Sequence, residues 1–305
     1  MIILQFKLCI FHFTFLPARR QGKILLTSYF AGIDVGSTMT KAVILNNGSI
    51  ASVIGATGPE QRRLANKVME EVLKKADISL QAITYIVSTG YGRINVPFAD
   101  KQFTEITCHA KGIVHLFPNA KTIIDIGGQD IKAIKIDPTG RTTDFVMNDK
   151  CAAGSGRFIE VIADTLGVPL DKVGVLSLQS RNPAKISNIC TIWAQQEVAA
   201  SLANGVPIPD LLAGIHQSLA DRISRMVNQL RVEEAVIVTG GGAKNRGLIK
   251  ALSEQLGHEL LVPEEPLITG ALGAALLGKK IVEKAKQNHT PLVTKERVLE
   301  QIEIF

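Results

Sequence analysis

Two short segments of the chain place an aspartate and a glycine in the same arrangement. IDVGSTMTKAVIL begins at Ile33, IDIGGQDIKAIKI begins at Ile124, and the two align without a gap. Glycine lets a turn approach an anion closely, and the exposed N–H groups of such a turn bind phosphate oxygens. An aspartate at the end of the preceding strand holds Mg²⁺ directly or through water. The matched pair predicts a polyphosphate held from two sides, in preference to two ordinary glycine turns.

The first turn adds hydroxyl donors, and the second adds an amide. The candidate phosphate ligands are Gly36, Ser37, Thr38, Met39 and Thr40 in the first copy and Gly127, Gly128, Gln129 and Asp130 in the second. We expect Asp34, Asp125 and Gln129 to be catalytic, with the two aspartates organising Mg²⁺ and the attacking water. Lys41 is either a phosphate ligand or a strand charge. Asp130 either orients the water or caps the turn.

A third glycine turn follows a short apolar strand. In AVIVTGGGAKNRGLIKALSEQLG, Val236–Thr239 reads as the strand, and an amphipathic helix begins near Asn245. The turn lacks the spacing of a dinucleotide-binding G-x-G-x-x-G loop, and no G-K-[ST] follows as in a Walker A loop. We expect the backbone of Gly240, Gly241 and Gly242 to cradle a flat adenine and its ribose.

Two of the four cysteines stand at the start of predicted helices. Cys151 precedes AAGSGRFIEVIADTLG, and Cys190 precedes TIWAQQEVAASLANG. The positive end of a helix stabilises a thiolate. A zinc or iron–sulfur site usually takes four ligands, so two cysteines alone do not complete one. The residues leave both readings open: buried structural cysteines, or ligands completed by a second copy of the chain. We assign no role to Cys9.

The elements that position these residues alternate strands, tight turns and helices. Each repeated segment reads as strand, glycine turn and strand. The chain has 305 residues, 46% of them apolar and 20% charged, which suffices for one large domain or two lobes. The net charge of +6 is spread along the chain without a basic block, so no nucleic-acid partner is expected.

The N-terminal segment MIILQFKLCIFHFTFLPARRQGK is apolar and then basic. A secretory signal has the reverse order of charge, and Lys7 and His12 interrupt a run that is already short for a membrane span. We expect residues 1–28 to be an atypical extension from a mis-called start, with an unusual membrane anchor as the alternative. No membrane association is expected, and the expected location is the cytoplasm.

The two hairpins followed by the TGGG turn resemble the actin/sugar-kinase/Hsp70 superfamily. The resemblance implies an α/β fold of two RNase H-like lobes with ATP or ADP in the cleft between them. Lobe I would span residues 29–118. Lobe II, with the cysteine helices and the adenosine turn, would span 119–268. C-terminal helices over 269–305 would return across the cleft.

A narrower resemblance rests on six motifs that occur in one order. They are GIDVGSTMTK, STGYGR, ADKQFTEITCHAKG, IDIGGQD, MNDKCAAGSGRF and ICTIWAQQEV. This order resembles the activators of 2-hydroxyacyl-CoA dehydratases, in the BadF/BadG/BcrA/BcrD-type ATPase family, which also includes subunits of ATP-dependent benzoyl-CoA reductase. The resemblance implies that Cys151 and Cys190 hold one [4Fe–4S] cluster at a homodimer interface, and that Cys108 is buried rather than a ligand.

Four positions depart from the family pattern. Ser155 replaces threonine, and we expect its hydroxyl to reach a phosphate. Gln195 and Gln196 replace a glutamate and a serine, and Trp193 replaces phenylalanine close to the predicted cluster. Losing a carboxylate near a negatively charged cluster shifts its potential or alters a partner contact. The electron acceptor therefore need not be the best-known dehydratase.

The resemblance implies an ATP-dependent one-electron donor in anaerobic metabolism. Reduced ferredoxin or flavodoxin would load the cluster, and ATP and Mg²⁺ would close the two lobes, which hydrolysis would then reset. The partner would be an iron–sulfur 2-hydroxyacyl-CoA dehydratase or a related reductase. The alternatives are a small-molecule kinase of the same fold, a benzoyl-CoA reductase-type subunit and a non-catalytic ATP sensor. We expect Tyr91 and Arg93 to face the cleft or a partner, and no metal role for His109 and His115.

Overall fold

The strands form two five-stranded mixed sheets in the computed structural model, which describes residues 28–46, 49–148, 155–186 and 190–299. The first sheet consists of β1 (Tyr29–Val35), β2 (Met39–Asn46), β3 (Ser49–Ala56), β4 (Ile83–Thr89) and β5 (Lys101–Gln102). Its strand order is β3-β2-β1-β4-β5. β1, β2 and β3 are successive antiparallel neighbours, whereas β4 is parallel to β1. Residues 1–27 and the predicted ligand Cys151 lie outside the described ranges.

The second sheet repeats the topology of the first. It consists of β6 (Thr122–Ile126), β7 (Ile131–Ile136), β8 (Thr142–Met147), β9 (Val236–Thr239) and β10 (Leu260–Leu261), in the order β10-β9-β6-β7-β8. β6, β7 and β8 are antiparallel neighbours, and β9 is parallel to β6. The internal repeat of the sequence is therefore a repeat of whole sheets, because each copy begins an equivalent set of strands.

Eight α-helices of the described chain pack on these sheets or on one another. They are α1 (Gln61–Ala76), α2 (Glu105–Leu116), α3 (Gly156–Leu166), α4 (Leu170–Ser177), α5 (Thr191–Ala203), α6 (Ile208–Val227), α7 (Arg246–Leu256) and α8 (Thr269–Gln287). The Asn245 side chain accepts a hydrogen bond from the Leu248 N–H at 3.1 Å and so caps α7 where the sequence predicted a helix start. None of these helices is both long and apolar enough to span a membrane.

α2 and α8 each pack against the sheet that they do not follow in the sequence. α2 follows the first sheet in sequence, but its Ala110 and Ile113 share a buried cluster with Ile123 and Ile134 of the second sheet. α8 follows the second sheet, but it packs against β1, β2 and β4 of the first and against α2. α2, which lies before the predicted boundary at residue 118, therefore also contacts the second sheet.

Glycines allow α2 and α8 to cross closely. A Cβ atom at Gly273 would overlap the carbonyl oxygen of Cys108, and one at Gly112 would overlap that of Thr269. Such an approach of two helix backbones admits no larger residue at these positions. Cys108 is fully buried in this contact, as the sequence predicted.

The C-terminal region departs from its prediction of several helices. In the described part of residues 269–305, α8 is followed by a segment without regular secondary structure. Arg297 in this segment donates two hydrogen bonds of 2.8 Å to the buried carboxylate of Asp100. A paired, bidentate contact of this kind anchors an irregular segment that helical periodicity cannot reveal.

Candidate functional site in the cleft between the sheets

The two repeated turns close with the same hydrogen bond. The Gly36 N–H donates to the Met39 carbonyl at 3.1 Å, and the Gly127 N–H donates to the Asp130 carbonyl at 2.9 Å. In each hairpin the aspartate is paired across the strands with a lysine, Asp34 with Lys41 and Asp125 with Lys132. The aligned residues of the sequence therefore occupy equivalent positions in space.

The turns face each other across the cleft. A Cβ atom added at Gly128 would overlap the Thr38 side chain, so these residues are in direct contact. The backbone N–H groups of Ser37 and Thr38, and those of Gly128 and Gln129, have no acceptor within the described residues. Four unused donors on two facing turns form a site suited to the oxygens of a polyphosphate.

Two of the predicted phosphate ligands make hydrogen bonds within the protein. The fully buried Ser155 hydroxyl donates to the Gly128 carbonyl at 3.1 Å. The Thr40 hydroxyl is also buried and lies 2.7 Å from that of Thr57. Gln129, by contrast, is exposed at the tip of its turn.

The start of α3 is bonded to the second turn. The N–H groups of Gly156 and Arg157 donate to the carbonyls of Gly127 and Gly128, both at 2.9 Å. A trans peptide holds its carbonyl and its N–H on opposite sides. The N–H groups of Gly128 and Gln129 therefore point away from α3, which leaves them available for an anion.

The two aspartates lie buried among cations. Lys41 donates to Asp34 at 2.9 Å. The carboxylate of Asp125 lies 3.6 Å from Nε2 of His109 and 3.7 Å from Nζ of Lys132. Burial raises the pKa of Asp125, but the opposing charges of His109, Lys132 and Lys41 outweigh it and hold the pKa below its usual value. Asp125 is therefore an anion at neutral pH.

His109 is a cleft residue that the sequence did not assign. Thr239 donates to the Pro266 carbonyl at 2.7 Å, and the Thr269 hydroxyl lies 2.7 Å from that of Thr239. The Thr269 hydroxyl also lies 2.9 Å from Nδ1 of His109. This chain of bonds turns Nε2 of His109 toward Asp125. The sequence could not predict this position of His109, because α2, which carries it, and α8, which carries Thr269, meet only in the folded chain.

The third glycine turn also has a counterpart in the first sheet. Thr-Gly-Tyr-Gly follows β4 and Thr-Gly-Gly-Gly follows β9. Thr89 pairs with Asp34, and Thr239 pairs with Asp125. Gly90 and Gly240 both have positive φ, 85° and 81°, and both lie against the carboxylate of the neighbouring aspartate. The shared T-G-x-G pattern after a strand was the signal for this second duplication.

Gly241 is the one glycine of its turn with open space above it. A Cβ atom at Gly240 would lie 2.5 Å from the Ile126 carbonyl oxygen, and one at Gly242 would overlap the Ile126 side chain. At Gly241 it would meet only Leu267, at 3.7 Å, an ordinary contact. Gly241 is therefore not required by its own surroundings, which fits a surface left bare for a ligand.

The described cysteines have different environments. Burial raises the pKa of Cys108 to about 12, so this residue is a thiol and a poor ligand. Cys190 is half-buried at the N-cap of α5, beside the exposed Ile192 and Trp193. The described residues contain no group of three or more potential metal ligands. A cluster at Cys190 would thus need ligands from Cys151 or from another chain.

Two sheets of repeated topology, each contributing an aspartate and a glycine turn to one cleft, define the actin/sugar-kinase/Hsp70 class of nucleotide-binding fold. A glucokinase of the ROK family from Streptomyces griseus shares this fold with a TM-score of 0.53 at 13% identity, over 83% of this chain and 99% of that one. The fold class predicted from the sequence is confirmed.

Residues 31–278 match the BadF/BadG/BcrA/BcrD ATPase family, and the chain belongs to it. An activator of lactoyl-CoA dehydratase from Anaerotignum propionicum is 47% identical over 263 residues, 84% of this chain and 99% of the relative. An activating ATPase of (R)-2-hydroxyglutaryl-CoA dehydratase from Acidaminococcus fermentans is 40% identical over 262 residues, 85% and 100% of the two chains. A Clostridium difficile activator of 2-hydroxyisocaproyl-CoA dehydratase with bound ADPNP superimposes with a TM-score of 0.81 at 40% identity, covering 88% of this chain and 100% of that one. The family recognised from the sequence motifs is confirmed.

Proposed function

We propose that the protein is an ATP-dependent activator that delivers single electrons to an iron–sulfur 2-hydroxyacyl-CoA dehydratase or a related CoA-ester reductase. The proposal extends to this chain what the names of its relatives state. ATP binds in the cleft between the sheets. The observation that most directly supports ATP binding is the set of four backbone N–H groups, on two facing turns, that have no acceptor in the described chain.

Different residues of the cleft bind different parts of ATP. The N–H groups of Ser37 and Thr38 bind phosphate oxygens from one side, and those of Gly128 and Gln129 bind from the other. The open backbone at Gly241 carries the adenosine. A ligand held by both turns stabilises the closed cleft, and loss of the terminal phosphate removes part of that stabilisation.

The residues of the cleft fit Mg²⁺. Mg²⁺ is usually bound by one or two carboxylates together with substrate phosphates, rather than by a complete protein cage. Asp34 and Asp125 supply two carboxylates, and the absence of a larger ligand cluster from the described chain agrees with that pattern. Bound there, Mg²⁺ supplies charge neutralisation to the phosphates. Asp125, with His109 beside it, orients the attacking water, and Lys41 and Lys132 balance the carboxylates.

The second turn offers a route from the nucleotide to the cysteines. Its Gly127 and Gly128 carbonyls accept the first N–H groups of α3. Cys151 precedes α3 by five residues. A shift of the turn on closure would therefore move the start of α3. We propose that Cys151 and Cys190 of two chains hold one [4Fe–4S] cluster, which supplies one-electron transfer when bound, with ferredoxin or flavodoxin as the reductant.

Anaerobic purification with iron, sulfide and ATP-hydrolysis analysis tests this function. We expect a brown dimer with about four irons per two chains, as for one cluster with four cysteine ligands. Cys190→Ser should lose the iron and the colour, whereas Cys108→Ala, at the buried cysteine that is not a predicted ligand, should retain both. Colourless wild-type protein that hydrolyses ATP after cluster reconstitution would contradict the electron-transfer role. Phosphate transfer to an added small molecule would favour the kinase alternative.

A further inference from the structure

The two T-G-x-G turns differ only at their third residue. Tyr91 occupies this position after β4, and Gly241 occupies it after β9. The flanking glycines are equivalent, since Gly90 and Gly240 have matching positive φ, and Gly92 and Gly242 pack on the residue after the aspartate. The repeat therefore keeps its backbone and changes one side chain, at the rim of the cleft.

The Tyr91 side chain crosses the cleft. Its hydroxyl donates to Oδ2 of Asp130, in the turn of the second sheet, at 2.6 Å. The same oxygen accepts from Lys132 at 2.6 Å, and Nζ of Lys132 lies 5.5 Å from the centre of the Tyr91 ring. Asp130 and Lys132 are almost completely buried. We call these three residues the rim contact.

No equivalent contact can form on the opposite side of the cleft. In the aligned hairpins Met39 stands where Asp130 stands, and Gly241 stands where Tyr91 stands. Neither a thioether nor a glycine offers a comparable charge-assisted hydrogen bond. One side of the cleft is therefore closed by the rim contact, while the side at Gly241 lacks it.

We propose that Tyr91 is a positioning residue of the nucleotide site, whose hydroxyl holds Asp130, Lys132 and the second phosphate turn against the first sheet and leaves the Gly241 side as the entrance for the nucleoside. The proposal rests on ATP binding in the cleft, as proposed above. Lys132 links the rim to the phosphate site, because it also lies 3.7 Å from Asp125. Tyr91 thus acts on the phosphates through Asp130 and Lys132.

The protonation states suit a permanent contact. Burial and the hydrogen bond to Asp130 raise the pKa of Tyr91 to about 12, so the hydroxyl keeps its proton at neutral pH. Burial opposes the charge on Lys132, but Asp125 and Asp130 raise its pKa above the usual value. The contact is therefore a neutral donor and an ammonium sharing one carboxylate, which does not change near neutral pH.

Nucleotide titration of Tyr91→Phe tests the proposal. A ligand that binds the closed state loses affinity when that state is destabilised, whereas a ligand that binds without closure keeps its affinity. We expect ADPNP with Mg²⁺ to bind about tenfold more weakly to Tyr91→Phe, because the variant lacks a hydrogen bond to a charged group. The affinity for ADP should fall less. Tyr85→Phe, the same change within the first sheet, is the matched control.

A double-mutant cycle separates positioning from a general structural effect. Asp130→Ala should weaken ADPNP binding at least as much as Tyr91→Phe, because it also removes an acceptor of Lys132, and the double variant should bind no more weakly than Asp130→Ala alone. With fluorotyrosine at the 3 tyrosines of the chain, the Tyr91 signal should be shifted by Asp130→Ala even without nucleotide. Additive losses, or wild-type selectivity of Tyr91→Phe for ADPNP over ADP, would overturn the role of Tyr91 while ATP binding stands. A wild-type protein that binds neither nucleotide, with the fluorine shift intact, would instead overturn the proposed function and the entrance assigned here.

Discussion

Gly241 differs from its two glycine neighbours in what restricts a side chain there. Gly240 has a φ of 81° and lies against Ile126, and Gly242 lies against the Ile126 side chain. Gly241 has neither restriction, so an added methyl group would enter the cleft instead of the protein. Glycine is therefore required by the backbone and its packing at Gly240 and Gly242, whereas at Gly241 it leaves space for a ligand.

Gly241→Ala is predicted to separate binding from stability. The melting temperature should stay near that of the wild type, because the new Cβ makes only an ordinary contact with Leu267 at 3.7 Å. Affinity for ATP should fall about tenfold, since one misplaced methyl group in a binding pocket costs about 1–3 kcal/mol. Calorimetric titration and thermal unfolding measure the two effects.

Gly240→Ala is the matched comparison for this prediction. Its left-handed φ and its approach to the Ile126 carbonyl should cost on the order of 1–3 kcal/mol of stability. If Gly241→Ala lost stability to the same extent and kept full ATP affinity, the assignment of Gly241 to adenosine would be wrong.

At the scale of elements, His216 joins three helices of the second sheet. Nδ1 of His216 in α6 lies 2.9 Å from the Ser177 hydroxyl of α4, and Nε2 lies 2.9 Å from the side-chain amide of Asn245 at the start of α7. Because Asn245 Oδ1 already accepts from the Leu248 N–H, its amide group donates to Nε2. Nε2 must therefore carry no proton, and the ring is neutral.

This network predicts acid destabilisation between pH 6.5 and pH 4. Burial lowers the pKa of His216 to about 4, against about 6.5 in the unfolded chain. As the pH falls, the unfolded state takes up a proton first, so stability declines through this range by on the order of 3 kcal/mol and levels off below it. Above pH 6.5 both states are neutral and His216 adds no pH dependence.

Urea unfolding at pH 7 and at pH 5 measures the effect. His216→Gln should show a smaller difference between the two pH values than the wild type, although it is less stable at both. His115→Gln, at an exposed position near the end of α2, should keep the wild-type difference. An unchanged difference in His216→Gln would show that another group titrates.

At the scale of the whole molecule, local features were predictable and distant ones were not. The hairpin turns follow from residues close together in sequence, so Asp34, Asp125 and the turn glycines could be placed beforehand. Tyr91 was expected at the cleft or at a partner, but its contact with Asp130 could not be predicted, nor could that of His109 with Thr269, because these residues lie on the second sheet and on α8. The contact of the Ser155 hydroxyl with the Gly128 carbonyl could not be placed for a related reason, because only the folded turn presents that carbonyl.

The packing of α8 against the sheet that it does not follow predicts that the first sheet cannot form a stable unit without the C-terminal region. α8 covers a cluster that includes Phe30, Val43, Tyr85 and Val87. A fragment of residues 28–118 should therefore unfold without cooperativity, since this face stays in water. The same fragment joined by a flexible linker to residues 266–299 should unfold cooperatively in urea.

A linker-joined fragment with residues 208–227 in place of 266–299 provides the control, because α6 is a helix of similar length that belongs to the second sheet. Equal cooperativity of the two joined fragments would mean that any helix suffices. Full cooperativity of residues 28–118 alone would contradict the role of α8.

The position of α8 also bears on how the chain is made. A ribosome releases the strands of the first sheet early, but the helix that covers one of their faces leaves the exit tunnel only after the second sheet has been synthesised. The N-terminal strands therefore spend most of translation with an apolar face bare. The first sheet is therefore synthesised first, but its fold is completed last, when α8 packs on it.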